Sequence, residues 1–114
     1  MGKGEHLNSC RKGKSGEREL AAKCRELGVI GARRGKQYSG SEDSPDVVAW
    51  PGVHLESKRT ERLQLRKAVE QANRDAGENV PVVAHRWNRG EWLLIVPLPR
   101  LLDFARIVLK EVGE

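Results

Sequence analysis

Long apolar runs are missing from this chain. None approaches the roughly 20 residues that a membrane-crossing helix needs, and the start, Met1-Gly2-Lys3-Gly4-Glu5-His6, lacks the apolar stretch of a signal peptide. Gly2 is followed at position six by His6 rather than by Ser or Thr, so a myristoylation motif is incomplete as well. The expected location is the cytoplasm. Cysteine is scarce too: Cys10 and Cys24 stand 14 apart with no second pair, which excludes a disulfide framework and zinc-type spacing. In a reducing compartment both are expected to be thiols. Aromatic residues make up only 4% of the chain and charged residues 32%. The apolar residues nevertheless fall in short blocks, which indicates a folded domain with a polar surface rather than disorder. At 114 residues the chain fits one domain with a modest core.

The charge is present in excess and is unevenly placed. The net charge is +5. Residues 1–40 hold ten Lys or Arg against four Glu, whereas residues 41–114 hold eleven against twelve acidic groups. A basic excess on one part of a small domain suits a polyanion such as nucleic acid, or else serves as a solvated tail.

Residues 1–14, rich in Gly, Lys and Arg and without periodicity, are expected to form a flexible basic arm, leaving residues 15–114 as a single domain. From Ser15 to Leu27 the spacing is helical: Leu20, Cys24 and Leu27 share one face, Glu17 lies one turn earlier on it, and Gly28 stops the helix. Residues 29–34 form a candidate strand and 35–45 a Gly-, Ser- and charge-rich loop. Asp46–Trp50 and Val53–Lys58 flank Pro51-Gly52 and predict a hairpin. A second helix is expected over 61–76, with Leu65, Ala68, Val69, Ala72 and Ala76 as its apolar stripe. Strands over 80–87 and 91–98 surround the turn Asn88-Arg89-Gly90. A final helix runs over 99–112, with Leu101, Leu102, Ala105, Val108 and Leu109 inward. The order helix, three strands, helix, two strands, helix predicts an α/β domain around one central sheet.

Side chains alternate along a strand, so His54, Glu56 and Lys58 share one face and Leu55 takes the other. Asp46 opens the preceding strand of the same hairpin, and the Pro51-Gly52 turn brings it toward Glu56. Two carboxylates held together repel unless something positive lies between them. Mg²⁺ is the natural occupant, because it takes oxygen ligands and keeps several waters. Lys58 can then orient or deprotonate one such water, whose pKa the ion lowers.

Ser44-Pro45-Asp46 followed by Glu56-Ser57-Lys58 resembles the PD-(D/E)XK nuclease motif. A wider set, Lys12-Gly13-Lys14-Ser15-Gly16-Glu17-Arg18-Glu19-Leu20, then Gly28, Arg34 and Ser39-Gly40-Ser41, is similar to the archaeal-type Holliday junction resolvases, over about residues 11–87. The resemblance implies a restriction-endonuclease-like fold, a central mixed five-stranded sheet flanked by helices. It implies that Glu17, matching a first-helix Glu of that family, completes a metal site with Asp46 and Glu56, holding Mg²⁺ or, in its place, Mn²⁺. Phosphodiester hydrolysis to a 5′-phosphate by a homodimer acting on branched, four-way DNA would follow. The chain departs from the resemblance after Trp87, where a further strand and the last helix are added.

The positions assigned to DNA contact are Lys12, Lys14, Arg18, Arg33, Arg34, Lys36 and Ser39, several of them bordering the loop that leads to Asp46. Gln71 on the second helix is either a solvated residue or an accessory to the site. His54 is either a polar residue at a sheet edge or within reach of metal or phosphate. Trp50, Trp87 and Trp92 are expected in core or interface rather than stacked on bases, and Cys24 in the core. Two other readings stand beside the junction resolvase: a nicking, restriction-like or flap nuclease, and a basic nucleic-acid-binding module without catalysis. The full set Glu17, Asp46, Glu56 and Lys58 counts against the module, since a binder gains nothing from carboxylates facing phosphate.

Overall fold

The pleat of two long strands organises the molecule. In the computed structural model, which describes residues 2–35 and 45–112 and the side chains of 13–35 and 45–110, Val53–Arg59 (β3) and Val80–Arg86 (β4) run parallel, with Leu55 opposite Val82 and Glu56 opposite Val83. β4 holds three valines, and both strands are buried on two faces over their first halves, as a central parallel pair requires. Arg33–Arg34 (β1) and Val47–Val48 (β2) extend the sheet on the β3 side in antiparallel pairings. Leu93–Ile95 (β5) closes it antiparallel to β4, so the spatial order is β1-β2-β3-β4-β5. The expected hairpin at Pro51-Gly52 is the β2–β3 connection. The sheet is therefore mixed and five-stranded, within an α/β domain of three helices.

Those helices are Gly2–Glu26 (α1), Leu65–Ala76 (α2) and Leu101–Val112 (α3), the last preceded by a 3₁₀ turn at Leu98–Arg100. Leu20, Ala21 and Cys24 of α1 pack on Val53, Leu55, Val80, Val82 and Ala84, joined by Phe104, Ile107 and Val108 of α3. Ala68 and Ala72 of α2 pack on Val83, whose side chain takes the other side of β4. The layers are thus α1 with α3, the sheet, and α2. Leu55, Val47 and Val82 are fully buried in the first interface, each contributing roughly 1.5–3 kcal/mol. Small residues on α2 let that helix approach the sheet closely enough for its polar side chains to reach across.

Several expectations are corrected. The first helix begins at Gly2 rather than Ser15, so residues 2–14, expected as an irregular arm, are helical in backbone; the side chains of residues 1–12 lie outside the described residues. Gly2, Gly4, Gly13 and Gly16 each disfavour a helix by up to ~1 kcal/mol, which is why the sequence suggested an arm. On α3 the inward residues are Phe104, Ile107 and Val108, while Leu101, Leu102 and Leu109 are exposed. The reason is Phe104: its ring meets Trp50 edge-on at 5.6 Å and sets the rotation of the helix. Leu27 and Leu65, expected on apolar stripes, are exposed at helix ends. Trp87 is likewise exposed, Trp92 is half-buried against the core, and Trp50 and Cys24 are buried as expected. No described helix is long and apolar enough to cross a membrane.

Candidate metal centre

Asp46 is held by its backbone before its side chain does anything. Its N–H donates to the Leu55 carbonyl (3.0 Å), and its own carbonyl accepts the Gly35 N–H (2.8 Å). A Cβ at position 35 would stand 1.9 Å from the Pro45 carbonyl oxygen, so only glycine allows the strand before the loop to lie this close to the strand after it. The Ser57 N–H then donates to Asp46 Oδ2 (2.8 Å), which turns the carboxyl along β3 toward Glu56.

Asp46 and Glu56 are hydrogen-bonded to one another through their carboxyl groups. Burial first, then the adjacent Glu56 carboxylate, push the Asp46 pKa up to about 7, against the lowering effect of the Ser57 N–H; the charge of Glu17 adds to the rise. Glu56 goes the other way. Burial raises its pKa, but hydrogen bonds with His54 and Asp46 and the charges of His54 and Lys58 outweigh that and leave it lowered. The two carboxyls are therefore driven apart in proton affinity, with Asp46 the more readily protonated of the pair.

The α2 face of β3 carries the rest. His54 Nε2 meets Glu56 Oε1 at 2.6 Å, both side chains almost fully buried. Lys58 Nζ donates to Gln71 Oε1 at 2.9 Å. One helical turn advances about 5.4 Å and two strand residues about 6.7 Å, so the residue one turn beyond Gln71, Asp75, comes level with the strand residues before Lys58. Ligand atoms of His54, Glu56 and Asp75 all lie within 4.8 Å of one another, a group that could hold a metal ion. Lys58, Thr60, Leu63, Lys67 and Gln71 line a cleft of about 210 Å³ beside it.

Of the expected set, Asp46, Glu56 and Lys58 are contiguous, and Glu17 acts on Asp46 through its charge. Glu17 is drawn aside by Arg34, whose Nε donates to it at 3.0 Å. Among the described residues, the group of three ligand atoms forms at His54, Glu56 and Asp75 rather than at Glu17, Asp46 and Glu56. His54 is not at a sheet edge but buried on the central strand. Gln71 is at the site. Lys14, Arg18 and Arg33 are exposed, Arg34 is engaged with Glu17, and Lys12, Lys36 and Ser39 lie outside the described side chains. Asp75 was missed. Its signal was its place four residues after Gln71, beside the Ala68, Ala72, Ala76 stripe that must face the sheet.

The docking of α1 that brings Glu17 near also depends on glycine. A Cβ at Gly16 would lie 2.6 Å from Cβ of Arg59, so α1 crosses β3 at a point where no other residue fits without displacement. Glu19, one turn from Gly16, pairs with Arg59 (3.6 Å) and with Arg86, tying the helix to β3 and β4. Compared with family models, with curated proteins and with solved structures, the chain matches none.

Proposed function

We propose that the protein is a metal-dependent DNA endonuclease of the PD-(D/E)XK type with a restriction-endonuclease-like fold, acting on branched DNA as a homodimeric Holliday junction resolvase in the cytoplasm. The observation that carries this reading is the Asp46–Glu56 carboxyl pair, half-buried at Asp46 and buried at Glu56, with Lys58 next on the same strand face. Two carboxyls held this close repel one another, and a cation between them relieves that repulsion, so the donor set fits a divalent ion. Asp46, Glu56 and, from α1, Glu17 would hold Mg²⁺, with Mn²⁺ able to replace it. Bound there, such an ion lowers the pKa of a water and stabilises charge developing on the phosphate.

The chain's own groups supply the rest. The Ser57 N–H fixes the Asp46 carboxylate, and Gln71 holds the Lys58 ammonium where it can orient a water or neutralise a phosphate oxygen. The cleft between Lys58 and Lys67 offers two cations to the DNA backbone. Exposed Lys14, Arg18 and Arg33 offer further cations to DNA, and Lys12, Lys36 and Ser39 are assigned to the same role from the sequence alone; Arg34 would join them where Glu17 serves the metal. Two such sites related by a two-fold axis suit paired cuts in a four-way junction, and the exposed Leu98, Leu101, Leu102 and Leu109 offer apolar surface for a second copy.

The test is incubation with Mg²⁺ and a panel of junction, flap, nicked and linear DNAs, beside the Asp46→Asn variant. Junction cleavage lost in the variant, with DNA binding retained, is the expected result. Preference for flaps or linear duplex would move the protein to a restriction-like or nicking enzyme. Binding without cleavage of any substrate would make it a non-catalytic module.

A further inference from the structure

The His54, Glu56 and Asp75 group lies on the α2 side of Glu56, away from α1, and two of its three members play no part in the function proposed above. His54 is 1% exposed and Glu56 3%, on the central strand of the sheet, while Asp75 is half-buried on the last turn of α2 and keeps a route to solvent. Their ligand atoms lie within 4.8 Å of one another. Atoms bonded to one first-row ion at about 2.1 Å stand roughly 3 Å apart when adjacent and roughly 4.2 Å apart when opposite, so this spacing needs little adjustment. His54 and Glu56 are now 2.6 Å apart, closer than two ligands of one ion. Opening them by a few tenths of an ångström replaces one hydrogen bond by two bonds to the ion.

We propose that His54, Glu56 and Asp75 form a second metal site, distinct from the Asp46 side of Glu56, that binds a divalent transition ion of the Mn²⁺ class. One imidazole nitrogen with two carboxylates suits Mn²⁺, Fe²⁺, Co²⁺ or Zn²⁺, whereas Mg²⁺ takes oxygen ligands and keeps its waters. Glu56 carries two carboxylate oxygens, and Oε1 is the one turned to His54, so the other is free in principle to serve the Asp46 side. The inference does not rest on nuclease activity: it concerns what the protein binds in the absence of DNA.

The probe is Mn²⁺ alone, titrated into the purified protein without DNA and followed by electron paramagnetic resonance with electron spin-echo detection of nitrogen coupling. An imidazole nitrogen bound to Mn²⁺ gives a ¹⁴N modulation that all-oxygen ligation cannot. The wild-type protein is expected to show it. Asp75→Asn, on a half-buried helix position that tolerates the isostere, should weaken the ¹⁴N-coupled ion by more than about 10-fold, and Asp46→Asn should leave the ¹⁴N signal in place. A saturated wild-type sample without ¹⁴N modulation would overturn the proposal and leave His54 as a hydrogen-bond donor that positions Glu56. An Asp75→Asn affinity equal to wild type would also overturn it. Loss of DNA cleavage in any variant bears only on the nuclease reading.

Discussion

The two faces of β3 are built from the same seven residues and are physical opposites. Toward α1 and α3 the strand presents Val53 and Leu55, which join a continuous apolar core. Toward α2 it presents His54, Glu56 and Lys58, a polar track of which two members are buried as deeply as the valines behind them. The first face stabilises by removing apolar surface from water. The second costs stability, because buried carboxyls crowd one another and are relieved only by hydrogen bonds, a shared proton or a cation. A strand that alternates in this way concentrates chemistry where a rigid sheet holds it, and leaves the other face to supply the stability that the chemistry costs.

The sharpest way to break the comparison is to change one residue on each side. Asp46→Asn keeps the shape of the protonated acid that the metal-free protein favours. It should leave the melting temperature unchanged or higher, yet reduce Mg²⁺-dependent DNA cleavage by more than the ~100-fold upper end seen for loss of a metal's second-shell partner. Rate measurement on a junction substrate, with calorimetry on the same samples, checks both halves. Leu55→Ala should do the reverse. It deletes a fully buried side chain between α1 and the sheet and should cost about 2–5 kcal/mol in denaturant unfolding, while the fraction still folded cleaves at the wild-type rate. A stability loss for Asp46→Asn as large as for Leu55→Ala would show that the polar face is structural after all.

A smaller effect is expected between the two faces, at the crossing of the loop-flanking strands. Gly35→Ala places a methyl against the Pro45 carbonyl, where backbone rather than a flexible side chain must yield. The cost should be about 1–3 kcal/mol, and because the displaced segment carries Asp46, Mg²⁺ affinity should fall with it. Urea unfolding and Mg²⁺ titration of the same variant give the two numbers. A loss of stability without a loss of affinity would separate Asp46 placement from this contact.

The difference between the faces also explains what could be read from the residues. Alternation in Val53–Lys58 and the Pro51-Gly52 turn were enough to place Asp46 near Glu56, because strand geometry is local. The apolar stripe of α2 was legible for the same reason: Ala68, Ala72 and Ala76 repeat every four residues and all three are buried. Tertiary choices were not legible. The rotation of α3 is decided by Phe104 against Trp50, a contact across 54 residues, and no helical period in 101–112 favours Phe104 over Leu102. The extension of α1 to Gly2 runs against glycine propensity. Arg34, assigned to DNA, also meets Glu17, a pairing between a helix and a strand that only the fold brings together. Asp75 escaped notice because a lone Asp late in a helix has no signature until the strand opposite it is known.

The smallest and most specific effect is a pH dependence that belongs to the polar face alone. Asp46 has its folded pKa raised to about 7 from an ordinary value of 3.8. A group raised in this way holds its proton more firmly in the folded than in the unfolded chain. Its contribution to stability is full below the unfolded value and is lost as pH rises through the folded one. Glu56 is lowered, so its contribution is present above its ordinary value of 4.5 and lost only at lower pH. Between about pH 4.5 and 7 the two therefore separate, and Asp46 should make the metal-free protein less stable as pH rises, with a slope no steeper than the about 1.4 kcal/mol per pH unit that a single proton allows. Asp46→Asn, which cannot titrate, should flatten that slope. Saturating Mg²⁺ should flatten it as well, because the ion binds the deprotonated carboxylate and its apparent affinity climbs by up to about tenfold per pH unit until Asp46 is ionised, which offsets the loss. Urea unfolding at pH 5, 6, 7 and 8, with chelator and with Mg²⁺, measures both limbs on one protein. A wild-type slope that matches Asp46→Asn in chelator would mean that Asp46 is already ionised throughout this range, and that a proton on Asp46 is not what holds the two carboxyls together.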